Sequence, residues 1–210
     1  MQTPDRHKPT PEEVLAAYGK TIPDIIALNL RVLFCGINPS LYSATVNHHF
    51  ARPGNRFWKT LYAAGFTDRL LSPFEDIQLL QFGYGLTNIV DRATARADEL
   101  KPEELVAAQQ QLTAKVQRYR PHYLAVLGVS AYRTAFNRPK AMIGKQAESL
   151  HGVKLWVLPN PSGLNAHYQL ADLKRVYEEL RTAALNEVGW AIYPPHRAEN
   201  HGIATARPFP

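Results

Sequence analysis

The sequence predicts a three-layer α/β/α domain around a short, mainly parallel sheet of four to five strands. Three observations predict it. Short apolar runs alternate along the chain with segments whose apolar residues recur at helical spacing, the pattern of a parallel sheet covered on both faces. Several of the apolar runs stop at a glycine or at Asn-Pro, as strands do when they turn into loops. The chain has 210 residues, 45% of them hydrophobic and 10% aromatic, which is enough to fill one core of ordinary size and too much for a disordered chain.

The first strand is Val32 to Cys35, ended by Gly36, and a long loop follows from Asn38 to about Pro53. From Asn55 to Ala64, Phe57, Trp58, Leu61 and Tyr62 recur at helical spacing, and Gly65 stands where a helix stops. A weaker helix over Pro73–Gln81 leads to a second strand, Leu86 to Val90. Pro102 with Glu103 and Glu104 is a helix start, because proline needs no donor there and acids suit the positive end of the dipole. Leu105, Ala108, Leu112, Val116 and Tyr119 form one face of that helix, and Pro121 closes it. Tyr123 to Leu127 is a third strand, followed by a helix over Ser130–Phe136. Leu155 to Leu158 is a fourth, followed by a loop and a last helix carrying Leu170, Leu173, Tyr177 and Leu180. Prolines cluster at both ends, so the domain is expected over 30–185, between a partly irregular extension, 1–29, and a tail, 186–210. In the extension a short helix is expected over Glu12–Tyr18, and in the tail Trp190, Ile192 and Tyr193 are expected to pack back on the body.

A single cysteine, Cys35, excludes an intramolecular disulfide framework and an all-thiolate metal site, and suits a reducing compartment. It lies inside an apolar strand, the place of an inert thiol rather than a nucleophile. There is no run of about 18 apolar residues and no apolar core of a secretion signal at the start, so a cytoplasmic protein with no membrane role is expected. Lys and Arg number 24 against 18 Asp and Glu, a balance that favours polyanionic partners without naming one.

Ligands of such folds gather at the carboxyl ends of strands. Two of those loops share a composition: Asn38-Pro39-Ser40 after the first strand and Asn160-Pro161-Ser162 after the fourth. Proline holds the preceding Asn extended, which aims a side-chain amide off the sheet end; the plain alternative is two turns. Other templates fail. No G-x-G-x-x-G follows the first strand, and Gly19-Lys20-Thr21 lacks the upstream glycine and strand of a phosphate-binding loop. His48 and His49 are adjacent and point apart, and no H-x-x-x-H or C-x-x-C spacing occurs, so no metal is expected.

Four separated motifs, VLFCGINPS from Val32, FARPGNRFWK from Phe50, GLTNIVDR from Gly85 and WVLPNPSGL from Trp156, together resemble the mismatch-specific uracil-DNA glycosylase and thymine-DNA glycosylase family. The resemblance spans about Leu30 to Leu185. It implies a uracil-DNA glycosylase-like fold and a monofunctional enzyme of base excision repair, working without a cofactor. Such an enzyme flips a mispaired or damaged base out of double-stranded DNA and hydrolyses its N-glycosidic bond, leaving an abasic site. It further implies that Asn38 positions the attacking water, that backbone groups of Ile37 and Phe50 read the uracil edge, and that the Phe50 ring stacks on the base. Ser43 would face the uracil 5-position and Asn88 would stand at the pocket wall, where some relatives carry Lys; both would tune tolerance for thymine or modified cytosine.

In the second Asn-Pro-Ser loop, Leu164 resembles the family's wedge, which fills the space left by the flipped nucleotide. Gly163 and Asn165 would touch the widowed guanine and Ser162 a phosphate, with Asn160 in the same DNA-binding loop. Asn165-Ala166-His167 departs from the family pattern, in which a Ser and a basic residue are usual. Asp91 reads first as an ion pair with the adjacent Arg92; facing the pocket instead, it would polarise water or stabilise the cationic sugar, a secondary catalytic role. Arg52, Arg56 and Lys59 are expected on DNA phosphates, against the plain alternative of a solvated basic face. A monomer is expected. Other readings on the same sequence are a different damaged-base or single-stranded preference, and a non-catalytic binder of damaged DNA.

Overall fold

The computed structural model describes residues 8–186, and the features expected of the tail at Trp190, Ile192 and Tyr193 lie outside these described residues. Five strands form one sheet in the order β2-β1-β3-β5-β4: β1 (Val32–Gly36), β2 (Tyr84–Asn88), β3 (Tyr123–Leu127), β4 (Gly144–Leu150) and β5 (Val153–Leu158). The first three and β5 run parallel, and β4 closes one edge antiparallel to β5. Among the described residues six α-helices accompany it: α1 (Pro11–Leu15), α2 (Leu41–Val46), α3 (Phe57–Ala63), α4 (Pro102–Tyr119), α5 (Val129–Ala135) and α6 (Leu170–Asn186), with a 3-10 helix over Pro73–Phe82 and a short one over Ala97–Glu99.

Every residue of β1, β2 and β3 is buried, because both faces are covered. Side chains alternate between two cores. Phe34, Leu86, Tyr123 and Trp156 point to one face with Phe57, Leu61 and Tyr177 from α3 and α6. Leu33, Cys35, Leu124 and Val157 point to the other with Leu112, Val116 and Tyr132 from α4 and α5. The Cys35 thiol is fully buried, and burial pushes its pKa far above the ordinary range, so the inert thiol read from its strand setting stands.

Three elements differ from the expectation. The second strand is Tyr84–Asn88 rather than 86–90: Ile89 and Val90 are buried like strand residues, but their N–H groups donate to the carbonyls of Gly36, the last residue of β1, and Ile37, just beyond it. Nothing in the sequence of β4, GKQAESL, marks a strand, since it carries one leucine. As an edge strand with alternating half-buried and exposed residues it has no need of more. The loop expected from Asn38 to Pro53 contains α2, six residues capped by the Ser40 hydroxyl, which accepts from the Ser43 N–H. The helix expected over Glu12–Tyr18 is α1, one turn and a half with Thr10 and Glu13 in a reciprocal cap. Residues beyond it are fastened to the sheet, since Ile25 exchanges backbone hydrogen bonds with Leu86.

Candidate active site

At the carboxyl ends of β1, β2, β3 and β5 lies a cavity of about 440 Å³. Its walls include Gly36 at the end of β1, Ile37 and Asn38 after it, Ser43 from α2, His49, Phe50 and Arg52 from the next loop, Asn88 at the end of β2, and the loop after β5. The cavity therefore brings together most of the residues singled out in the two Asn-Pro-Ser loops. Ile22, outside the domain span expected over 30–185, also lines it.

Asn38 is held by its amide nitrogen. Nδ2 donates to the Arg92 carbonyl at 3.0 Å and to Thr94 Oγ1 at 2.7 Å, so both N–H groups are engaged and Oδ1 is the atom left for the cavity. Thr94 was missed in the sequence. It is buried, its hydroxyl donates onward to the Arg96 carbonyl at 2.7 Å, and its backbone pairs with Pro39 and Leu41. Nothing in the run Asp91 to Ala95 marks it, because the contact joins segments 56 residues apart.

Phe50 sits in the left-handed region at φ 53°, which a bulky side chain rarely adopts. The backbone on both sides fixes it there. The His49 N–H donates to Asp76 Oδ2, the His49 carbonyl accepts from the Trp58 indole, and the Ala51 N–H donates to the Ser43 hydroxyl at 3.0 Å. One face of the Phe50 ring stacks on Phe57, with centroids 4.0 Å apart. His49 was not singled out for the site, yet it is buried on the cavity wall. Burial lowers its pKa below the usual imidazole value, and Nε2 lies 2.9 Å from the Pro23 carbonyl, so the neutral ring carries its proton on Nε2.

Ser43 and Asn88 are both buried and both line the cavity. The Ser43 oxygen accepts from Ala51 and from the Ser40 hydroxyl, which leaves its own proton available. The Asn88 carboxamide has no hydrogen-bond partner among the described residues. The Ile37 carbonyl is engaged by the Val90 N–H, so its N–H is the backbone group it can offer. Gly36 lies between these groups: a Cβ there would come within 2.5 Å of Asn88 Oδ1 and 3.3 Å of Phe50 Cζ. Gly36→Ala is therefore expected to displace the carboxamide and the ring without unfolding the chain. Single-turnover cleavage of a uracil duplex should fall by about 10²-fold while duplex binding is kept, the scale of a misplaced binding group. Wild-type rates in this variant would show that the close approach at Gly36 is unimportant.

The loop after β5 is built as a rigid projection. Asn160 Oδ1 accepts from the Ser162 N–H, Ser162 Oγ accepts from the Leu164 N–H, and Asn165 Nδ2 donates back to the Asn160 carbonyl. Gly163 packs on the loop before α3 so closely that a Cβ would lie 2.7 Å from the Gly54 carbonyl oxygen. Leu164 at the tip is 68% exposed, an apolar side chain facing solvent beside the cavity.

The readings of Arg56 and Asp91 are corrected by this geometry. Arg56 does not face outward to a phosphate. Its guanidinium donates to the carbonyls of Pro161, Ser162, Asn165 and Tyr168, and its own N–H donates to Pro161, so it clamps the Leu164 loop from within. Lys59 is exposed on α3 but does not line the cavity; Arg52 is exposed at its rim. Asp91 is outside the cavity wall, and its partner is not Arg92. Lys115 of α4 reaches Asp91 at 3.2 Å and Asp24 at 2.8 Å, while Arg92 forms a two-pronged pair with Glu104. Burial alone would lower the Lys115 pKa, but the hydrogen bond and charge of Asp24, with the charge of Asp91, outweigh it and raise the value. Asp91 thus helps hold α4 against β2, where Asp24 also accepts from Thr87. Asp91→Asn is expected to change single-turnover cleavage by less than about twofold, since a half-exposed ion pair contributes about 1 kcal/mol or less to stability. A loss of tenfold or more would restore a catalytic role.

The comparisons with known proteins bear on the fold and on the family. A solution NMR structure from Methanosarcina acetivorans, provisionally assigned as a uracil DNA glycosylase, is 20% identical; the match covers 78% of this chain and 98% of that one, with a TM-score of 0.51. That likeness supports the fold. The sequence model of the Uracil DNA glycosylase superfamily matches residues 23–181, a span that holds both Asn-Pro-Ser loops and every strand of the sheet. On that match the chain belongs to the uracil-DNA glycosylase superfamily.

Proposed function

We propose that this chain, acting as a monomer and without a cofactor, removes uracil mispaired with guanine from double-stranded DNA by hydrolysis of the N-glycosidic bond. Thymine or modified cytosine are weaker substrates in the same pocket. The observation that carries the reading is the lock on Asn38: both amide N–H groups are engaged, so Oδ1 is fixed as an acceptor for one water at the cavity. An amide oxygen orients water but is a poor base, so the chemistry depends on bond breaking running ahead of attack, with an oxocarbenium-like sugar met by a prepositioned water.

The remaining wall suits a flipped pyrimidine. The free face of Phe50 offers a stacking surface already backed by Phe57. The Ile37 N–H, the Ser43 hydroxyl proton and the Asn88 carboxamide have no partner among the described residues, and a base edge supplies the donors and acceptors they lack. A neutral His49 adds no charge to the wall. Leu164, held out by the clamped loop, fills the gap in the stack. The test is protein in excess over labelled duplexes bearing G·U, A·U and G·T, and over single-stranded U, in EDTA, followed by alkali. Cleavage highest at G·U and unaffected by EDTA is expected. Equal cleavage of all uracil substrates would remove the mismatch preference, and none at any of them would remove the activity.

A further inference from the structure

Residues 17–22 follow α1 and stand before the span matched by the superfamily model, which begins at residue 23. They are nevertheless packed into the site. Ala17 and Ile22 are buried in a small apolar cluster with Leu41 and Ala44 of α2 and with Ala93. Ala93 lies between the two acceptors that hold Asn38: the Arg92 carbonyl and the Thr94 hydroxyl, both bonded by Asn38 Nδ2.

The main chain makes the same connection. The Ala93 N–H donates to the Lys20 carbonyl at 2.8 Å, and the Ala93 carbonyl accepts from the Gly19 N–H at 2.9 Å. At the next residue the Thr94 N–H donates to the Pro39 carbonyl and the Thr94 carbonyl accepts from the Leu41 N–H, both at 3.2 Å. Ala93 and Thr94 thus form a short extended strip, with residues 19–20 along one side and the loop carrying Asn38 along the other. No other group among the described residues bonds to the Ala93 main chain. Beyond Lys20 the segment reaches the cavity itself, where Ile22 lines the wall and the Pro23 carbonyl accepts from His49 Nε2. Burial of Ala17 and Ile22 accounts for the attachment of the segment. It does not require the two main-chain bonds to fall on the one residue between the acceptors of Asn38.

We infer that residues 17–22 are a positioning brace for Asn38, pressing the 92–94 strip against the loop after β1 and so setting the direction of Oδ1. The inference rests on the water-orienting role proposed for Asn38. Hydrogen bonds of 2.7 and 3.0 Å leave little room for displacement of their acceptors, and a misdirected Oδ1 no longer presents water along the line of attack.

Gly19→Val is the first variant. Gly19 has φ 76°, where a β-branched residue is strained, and its Cβ position is open, so the bonds to Ala93 are loosened without striking a neighbour. Ala17→Leu, which overfills the cluster, is the second. Each is expected to lower single-turnover cleavage of a G·U duplex by about tenfold while leaving duplex binding within a few-fold. Neither should lower the residual rate further when combined with Asn38→Ala, because the brace acts through that side chain. The Asn38 side-chain amide protons, identified in NMR spectra by their absence in Asn38→Ala, should exchange with solvent about tenfold faster in both variants. Wild-type cleavage and exchange in both variants overturn the inference, as does an equal loss of rate with and without Asn38, which marks a general loosening of the fold. A wild type that cleaves no uracil duplex removes the proposed function instead, and the exchange rates then decide the brace by themselves.

Discussion

Asn38→Ala is expected to lower single-turnover cleavage of a G·U duplex by about 10³-fold while leaving binding of the same duplex within a few-fold, because the residue is asked to orient water rather than to hold DNA. The size follows from what replaces it. Without the amide, the Oδ1 that the Arg92 carbonyl and the Thr94 hydroxyl hold in place through Nδ2 is gone from the cavity. Asn38→Asp should not restore activity despite its matching shape. A carboxylate cannot donate to the Arg92 carbonyl, so the clamp that fixes Oδ1 is lost. Wild-type cleavage in Asn38→Ala, measured with enzyme in excess, would move the water-positioning role elsewhere in the cavity.

The second large effect is expected at Arg56, and the fold explains it better than surface charge does. Removing the guanidinium leaves four loop carbonyls without their common donor, and Gly163 then loses its seat against Gly54. Arg56→Ala should cost about 2 kcal/mol of stability by chemical denaturation, part of the loss being made up by water at this half-buried site. Cleavage in duplex DNA should fall by about 10²-fold, the effect of a misplaced Leu164, whereas cleavage of single-stranded uracil, which needs no wedge, should fall much less. Arg56→Lys should behave like the alanine variant, because one ammonium cannot span four carbonyls arranged for a planar fork. Equal losses on duplex and single strand would mean that the clamp supports the cavity as a whole and not the wedge loop.

Much of this was readable in advance. The alternation of apolar runs and helical spacing was enough for the layered sheet, because a strand buried on both faces must be apolar throughout and a covering helix must show one apolar face. The start of α4 at Pro102 and the stop of α3 near Gly65 follow from local backbone chemistry alone. The Asn-Pro-Ser loops were legible for the same reason: the residue types that turn a chain at a strand end are few, and two such loops at carboxyl ends in a parallel sheet fall on the same side. What escaped was the polar edge strand β4 and the short helix α2, where neither apolar periodicity nor length marks the element.

The tertiary structure alone decided the partners of the charged and polar groups. Arg56 in a basic loop and Asp91 beside Arg92 have obvious local readings, yet Arg56 turns inward to carbonyls more than 100 residues away and Asp91 pairs with a lysine 24 residues on. Thr94 carries no signal at all until the β1 loop is laid against it. Apolar burial is set by composition and period, which the sequence displays. A hydrogen bond or ion pair is set by distances of a few ångströms between segments far apart in the chain, and those exist only once the sheet has brought the loops together.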